Sequence, residues 1–240
     1  MMRVMDRIER AAKRTVARSW LKYLSASNLE FLIQGHGPID LIVHVGAHLG
    51  QEAAFYESLG ANTVLWIEAD PDTYSILTEA LSARAGPTRH LTENALVSAS
   101  SGRPMRFHRF NGDGGSSSVH TATDALLERF PHVHESGEVI EIVPCTLPEI
   151  LARHGLQIAA ASRAMLTVDV QGHELEVLKG CGEALRLFSL CECEVSRVQL
   201  YDGGALFPDV DAFLQSRGFK PASHLPMQVP RHGNVLYVRD

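Results

Sequence analysis

Residues 41–68 constrain the fold more than any other part of this chain. An apolar strand over Leu41–Val45 runs into a turn with glycine at positions 46 and 50, and a helix follows. A second apolar strand over 63–67 ends at Glu68. Strands that alternate with helices are typical of a parallel sheet. Because glycine lets a ligand approach the backbone and a strand-end carboxylate can accept hydrogen bonds from both ribose hydroxyls, the segment predicts a nucleoside pocket.

The turn indicates which nucleoside such a pocket would take. Dinucleotide-binding turns read G-x-G-x-x-G, so that a pyrophosphate can lie on the helix N-terminus. Here the spacing is G-x-x-x-G, and His48 stands where that fingerprint has its second glycine. A bulky side chain leaves little room for a pyrophosphate, whereas S-adenosylmethionine carries no phosphate. The alternative is a tight strand-to-helix turn that binds nothing.

Size and composition fit one α/β domain with a full core. The chain has 240 residues, of which 45% are hydrophobic and 21% charged, and its formal net charge is −6. This charge does not favour nucleic-acid binding. The sequence has neither an apolar stretch long enough to span a bilayer nor a signal-peptide pattern. We therefore expect a cytoplasmic protein whose four cysteines are reduced thiols.

The N-terminal residues differ in pattern from the rest. Residues 1–24 combine apolar positions at helical spacing with seven arginines and lysines, which predicts a basic amphipathic helix. We expect residues 1–35 to form a helical extension and residues 36–240 to form the main domain. The extension either packs on that domain or on a second subunit of a homo-oligomer, or contacts a membrane surface or an anionic ligand. A transit peptide is a further alternative.

The remaining sequence continues the alternation of strands and helices. A buried strand is predicted at 164–170, a helix at 174–187 and another buried strand at 188–195. The last two strands, near 219–223 and 235–238, are expected to be antiparallel neighbours. The pattern predicts a mostly parallel sheet with helices on both faces.

Several segments together resemble a known family. They are VHVGAHLGQE at 43–52, WIEADP at 66–71, TVDVQGHELEVLKG at 167–180, CEVSRVQLYDGGALFPDVDAFLQSRGF at 193–219 and GNVLYV at 233–238. With these motifs the chain resembles the FkbM-type S-adenosylmethionine-dependent methyltransferases from about residue 40 to the C-terminus. Two positions depart from the family pattern: His44 stands where the family has Asp, and His173 where it often has a small residue.

The resemblance implies a Rossmann-like class I methyltransferase fold, with a seven-stranded, mostly parallel sheet, helices on both faces and the added N-terminal helix. It also implies S-adenosylmethionine as cofactor. Glu68 would hold the ribose, and the glycine turn would line the methionine side. The expected cofactor-binding residues are Gly46, Ala47, His48, Gly50, Glu68, Ala69, Asn94, Ala95 and Asp169. Asn94 has an equally good alternative as a turn former.

Three residues are candidates for catalysis. Asp169 ends one buried strand and Glu194 lies near the end of its neighbour, at the sheet edge where α/β proteins bind ligands. Two acids there could raise each other's pKa and act as a base, or bind Mg²⁺ through oxygen. Alternatively, one of them caps a helix or pairs with Arg197. His173 is the third candidate, because histidine titrates near neutral pH.

Three further residues are candidates for binding the methyl acceptor: Ser117, Glu174 and Tyr201. Ser117 lies in a glycine-rich and serine-rich segment that could close over a ligand or form a surface loop. Glu174 opens a helix, where an acid is also a common cap.

The leading hypothesis is an O-methyltransferase that acts on a hydroxyl of a small molecule, either a sugar or glycoside or a polyketide-type natural product. The first alternative is a noncatalytic nucleoside-binding module of the same fold. The second is a nicotinamide-dependent dehydrogenase, which the missing G-x-G-x-x-G disfavours.

Overall fold

The computed structural model describes residues 31–111, 114–158, 163–222 and 232–239. The chain divides into two units, Met1–Gly37 and Pro38–Asp240. In the first unit residues 31–35 are helical, and the basic helix predicted over 1–24 lies outside the described residues. The domain boundary after residue 35 therefore stays a prediction. Among the helices that the structure describes, none is long and apolar enough to cross a membrane.

The second unit is built on a seven-stranded sheet with the order β3-β2-β1-β6-β7-β9-β8. Its strands are β1 (Leu41–Val45), β2 (Thr63–Glu68), β3 (Arg89–Asn94), β6 (Ala164–Val168), β7 (Leu190–Ser196), β8 (Lys220–Pro221) and β9 (His232–Val238). The five from β3 to β7 pair in parallel, and β9 runs antiparallel to both of its neighbours. This arrangement confirms the predicted seven-stranded, mostly parallel sheet and its antiparallel final strands.

Two further strands form a separate antiparallel pair between β3 and β6 in the chain. They are β4 (Met105–Phe110) and β5 (Glu135–Ile142). Residue 118, between them in sequence, bridges back to His108 of β4. The glycine-rich and serine-rich segment that leads to Ser118 is therefore tied to this pair.

The helices follow the strands in the expected alternation. They are α1 (Ala53–Ser58), α2 (Pro71–Ser82), α3 (Asp124–Arg129), α4 (Leu147–Arg153), α5 (Glu174–Gly180) and α6 (Phe207–Ser216), with a 3-10 helix over Gly182–Leu187. The single helix predicted over 174–187 is thus wrong. Gly182 has φ +53, a left-handed conformation that ends α5 before the chain resumes as the 3-10 helix.

One face of the sheet carries His44 and is called the His44 face. His44 pairs in register with Trp66, and Trp66 with Thr92, so these side chains share that face. The hydroxyl of Tyr56 in α1 lies 3.1 Å from Nδ1 of His44, and the hydroxyl of Tyr74 in α2 lies 3.2 Å from Oγ1 of Thr92. Helices α1 and α2 therefore cover the His44 face.

The opposite face carries Val43 and holds the main core. Val43 packs in one cluster with Ile150 of α4, Val177 of α5 and Leu214 of α6, and all four side chains are fully buried. Burial of each such side chain contributes on the order of 2 kcal/mol. Helices thus lie on both faces of the sheet, as predicted.

The start of α2 is fixed by its first residues. Pro71 occupies the first turn, where a missing amide proton costs nothing. Oδ1 of Asp70 accepts hydrogen bonds from the amides of Asp72 and Thr73, at 2.9 and 3.2 Å. Because Asp70 follows β2 after one residue, this cap also determines the direction in which the chain leaves Glu68.

Helix α5 lies so close to the loop after β3 that only glycine fits at position 180. A Cβ built on Gly180 would lie 2.0 Å from the carbonyl oxygen of Ser98. That distance is far inside van der Waals contact, and the atom it meets belongs to the backbone. The last glycine of the TVDVQGHELEVLKG motif is therefore a packing requirement.

We predict that Gly180→Ala lowers the free energy of unfolding by about 3 kcal/mol, because α5 must move away from Ser98. Urea denaturation followed by circular dichroism measures the loss. Gly86→Ala is the control, since a Cβ there meets no atom within 4 Å. Equal stability of the two variants would contradict this account of the packing.

Candidate active site

A pocket opens at the carboxyl ends of β1, β2 and β6, with about 540 Å³ of space. This space includes the open mouth of the pocket as well as its interior. Eight of the residues predicted from the sequence line it: Gly46, His48, Glu68, Ala69, Ala95, Ser117, Asp169 and His173. The other predicted residues lie beside the pocket or behind its wall.

The glycine turn brings the ends of β1 and β6 into contact. Gly46 has φ +85, and a Cβ there would lie 1.7 Å from the carbonyl oxygen of Asp169. The amides of Gly46 and Ala47 both donate to the carbonyl of Ile67, at 2.9 and 3.0 Å. The turn is thereby held against both β2 and β6, and its backbone faces the pocket.

Gly50 has a different role from Gly46. It also has a left-handed backbone, with φ +70, but a Cβ there would lie 2.9 Å from Cδ1 of Leu77 in α2. Gly50 thus allows α2 to pack against the turn and does not line the pocket. Ala47 is buried and likewise lies behind the lining.

Glu68 is buried and both of its oxygens accept backbone hydrogen bonds. His48 N donates to Oε2 at 2.8 Å, and Asp70 N donates to Oε1 at 2.9 Å. Burial raises the pKa of Glu68, and the two amide bonds oppose this by stabilising the charged form. Since a carboxylate offers about four acceptor positions, each oxygen can accept one further hydrogen bond from a ligand in the pocket.

His48 and Asn94 are polar neighbours of Glu68. His48 has φ +47, which is uncommon for a residue other than glycine, and Nδ1 of its ring accepts a hydrogen bond from Nε2 of Gln51 at 2.7 Å. The amide of Asn94 donates to the carbonyls of Glu68 and Ala69, at 2.9 and 3.1 Å. Asn94 therefore fixes the end of β2, while Ala95 lines the pocket.

Two carboxyl groups meet where β6 and β7 end. The side chains of Asp169 and Glu194 lie close enough that each affects the pKa of the other. Each residue keeps some exposed surface, but its carboxyl group is buried. Burial raises the pKa of both, and the charge of Asp169 raises that of Glu194 further.

The sequence analysis missed one residue of this cluster, Gln171. Its Nε2 donates to Oδ1 of Asp169 at 2.6 Å and to Oε2 of Glu194 at 2.9 Å. Its Oε1 accepts from the hydroxyl of Tyr201 at 2.8 Å. Gln171 lines the pocket, whereas Glu194 and Tyr201 lie behind it. Tyr201 also lies within 3.1 Å of the carbonyl of Ser116, so it links the cluster to the loop that carries Ser117.

Glu174 serves the turn before α5. Its Oε1 accepts from the amides of Val170 and Gly172, at 3.2 and 2.9 Å. Burial raises its pKa to about 7. The side chain lies outside the pocket lining, and its two backbone bonds hold the turn before α5 and do not cap the helix.

His173 is a neutral, buried histidine in the pocket wall. Its Nε2 lies 3.0 Å from Oγ of Ser98, and its Nδ1 has no hydrogen-bond partner among the described residues. Burial lowers its pKa to about 4, so the imidazole is uncharged at neutral pH. The ring lies 5.6 Å from that of His120.

His44 lies away from the pocket lining. Its ring packs 5.5 Å from that of Trp66 and bonds the hydroxyl of Tyr56, beneath the sheet on the His44 face. The departure from the family pattern at this position therefore changes the packing under the turn. The residues described in the structure include no group of three or more His, Cys, Asp or Glu that could hold a metal ion.

Comparisons with known proteins agree with this geometry at the family level. The Methyltransferase FkbM domain matches residues 44–221. No curated protein matches the chain.

Solved structures similar to this chain include a magnesium protoporphyrin IX methyltransferase from Synechocystis with bound S-adenosylmethionine. That structure is 11% identical, covers 90% of this chain and 79% of its own, and has a TM-score of 0.45. A TehB-like S-adenosylmethionine-dependent methyltransferase from Corynebacterium glutamicum is 12% identical, covers 96% and 99%, and has a TM-score of 0.42.

The matched segment contains the end of β1, the glycine turn, Glu68 and the Asp169–Glu194 pair, and it spans most of the 240 residues. The chain belongs to the FkbM methyltransferase domain family. The resemblance associates the members of this family with methyl transfer from S-adenosylmethionine.

Proposed function

We propose that the protein transfers a methyl group from S-adenosylmethionine to a hydroxyl of a small molecule, either a sugar or glycoside or a polyketide-type natural product. The observation that carries this proposal is the pair of carboxyl groups beside the glycine turn, Asp169 and Glu194, which are bonded by one nitrogen of Gln171 at 2.6 and 2.9 Å. A buried carboxylate with a raised pKa is a stronger base than one in water. O-methyl transfer requires such a base, because the acceptor hydroxyl must lose its proton.

The cofactor end of the pocket fits S-adenosylmethionine. The remaining acceptor positions of Glu68 suit the two ribose hydroxyls, and the backbone at Gly46 and His48 allows close approach of the methionine part. Ala69 and Ala95 leave space for the adenine between them. The bound cofactor would supply a methyl group activated by a positively charged sulfur.

The acceptor end combines apolar walls with the charged Asp169. Phe107, Val119 and Val170 line it together with Ser117. The hydroxyl oxygen of the acceptor would bond the methyl carbon as the carbon–sulfur bond breaks, and its proton would pass to Asp169. Holding both reactants in line supplies much of the rate, and the base supplies a further part.

The net charge of −6 supports a small-molecule acceptor over a nucleic acid, and we propose that the reaction takes place in the cytoplasm. The proposal does not use Mg²⁺. Within the described residues Asp169 and Glu194 bind each other and Gln171, with no third acid or histidine placed to complete a metal site.

Glu68→Gln should weaken binding of S-adenosylhomocysteine at least tenfold, because it removes the charge and one of the carboxylate oxygens that accept from the ribose. Isothermal titration calorimetry measures the affinity. Glu79→Gln, an exposed acid on α2, is the matched control. If both variants bind like the wild type, the ribose assignment of Glu68 is wrong.

Asp169→Asn should reduce kcat by about 100-fold or more, since an amide cannot take up the hydroxyl proton. The assay measures S-adenosylhomocysteine formation and the O-methyl product with the best acceptor from a panel of methyl glycosides and hydroxylated polyketides. Binding of S-adenosylhomocysteine should change little.

Glu192→Gln is the control for Asp169→Asn. Glu192 is also a buried acid. It lies in β7, is bonded to Asn234 and is outside the pocket lining. Turnover by Asp169→Asn at the level of this control would rule out Asp169 as the base. Failure of every acceptor in the panel with the wild type would contradict the proposed substrate class.

A further inference from the structure

The best-connected side chain near the carboxyl pair is Gln171. Its amide makes three hydrogen bonds, to Asp169, Glu194 and Tyr201, at distances of 2.6 to 2.9 Å. The three partners are compatible with only one orientation of the amide, because the two carboxyl groups require a donor and the phenol proton requires an acceptor. Both protons of Nε2 are thereby used, one on each carboxyl group.

The backbone of Gln171 is held in an unfavourable conformation to make these bonds. Its φ is +56, in the left-handed region that glutamine rarely adopts. Oγ of Ser118 donates to its carbonyl at 2.8 Å, which fixes the peptide from the side of the β4–β5 pair. Left-handed residues other than glycine cluster at functional sites, where the surroundings maintain the strain.

Gly172, which follows Gln171, leaves space for the side chain of Tyr201. A Cβ at Gly172 would lie 3.0 Å from Cβ of Tyr201, so a larger residue would push Tyr201 away from Gln171. The hydroxyl of Tyr201 is also 3.1 Å from the carbonyl of Ser116. The strained turn at 171–172 and the loop at 116–118 are therefore joined through one phenol and one serine.

We propose that Gln171 is the positioning residue of the active site: its amide holds the carboxyl groups of Asp169 and Glu194 side by side, and it connects that pair to Tyr201 and the loop over the pocket. This proposal rests on the proposed function, since the pair matters for catalysis only if it receives the proton of the acceptor.

The physical reason is that the amide compensates the charge of the pair. Two carboxyl groups in contact cannot both ionise without strong repulsion, so one proton is retained. The hydrogen bonds from Gln171 lower the pKa of both groups, against the larger effect of burial, which raises them. Without this donor both pKa values would rise, and the pair would keep its protons to a higher pH.

Other titratable groups surround the pair. They come from each neighbouring element and are Tyr56 of α1, His48 of the glycine turn, Glu174 of α5, Glu192 and Cys193 of β7, and Tyr201. Of these groups, Glu174 raises the pKa of Glu194, and His48 lowers that of Asp169. Gln171 is the neutral donor that lowers the pKa of both carboxyl groups at once.

The test replaces the amide with an apolar side chain of the same length, in Gln171→Met. Carbon-13 NMR of labelled aspartate and glutamate carboxyl groups follows the titration of Asp169 and Glu194 with S-adenosylhomocysteine bound. Signals that vanish in Glu194→Gln identify the pair. We expect both apparent pKa values to rise in Gln171→Met, and kcat at pH 7 to fall about tenfold or more with the acid limb of its pH profile moved to higher pH.

A control variant and a second test variant accompany Gln171→Met. Gln215→Met removes an amide-to-carboxylate bond, to Asp211, on the surface of α6 and should leave the titration unchanged. Gln171→Asn tolerates the left-handed backbone but is too short to reach both carboxyl groups, so it should shift the titration even if Gln171→Met folds poorly.

Unchanged titration in both Gln171 variants would overturn the proposal. Because the NMR measurement needs no methyl acceptor, its outcome is separate from that of the acceptor screen. A shifted titration with no turnover on any acceptor would support the positioning role and contradict the proposed function.

Discussion

The parallel pairing of β1 with β6 brings the turns after these two strands into contact, and the site depends on that contact. Gly46 makes it possible, since a Cβ there would overlap the carbonyl of Asp169. The turn that begins at Gly46 continues to His48, whose amide binds Glu68. The turn that begins at Asp169 carries Gln171. One backbone contact therefore fixes the cofactor end of the pocket relative to the carboxyl pair.

The acids near this contact are all buried or partly buried, and they differ in their hydrogen-bond partners. Glu174 is satisfied by two backbone amides, and Glu192 by the amide of Asn234. These bonds assign both residues to the framework. Asp169 and Glu194 instead depend on each other and on a single shared donor. Burial raises the pKa of both groups, which makes an ionised member of the pair a stronger base than a carboxylate in water.

The strands and the position of Glu68 at a strand end could be predicted from the sequence because they follow from local patterns. Leu41–Val45 is a continuous apolar run, and Glu68 directly follows another. The role of Gln171 could not be predicted, because its partners come from three separate places in the chain. Its neighbours in sequence also give no signal of a left-handed backbone at this position. The break at Gly182 was also missed, since the apolar spacing continues through it. The local periodicity of the sequence thus predicted the helices and strands, whereas the side chains that meet at the site could be identified only from the structure.

The central claim is that the pocket binds S-adenosylmethionine and not a dinucleotide. Calorimetric titration of the purified protein with S-adenosylhomocysteine and, separately, with NADH tests it most directly. The account predicts saturable binding of S-adenosylhomocysteine at one site per chain and no binding of NADH, because the G-x-x-x-G turn with His48 leaves little room for a pyrophosphate. Binding of NADH, or of neither compound, would contradict it.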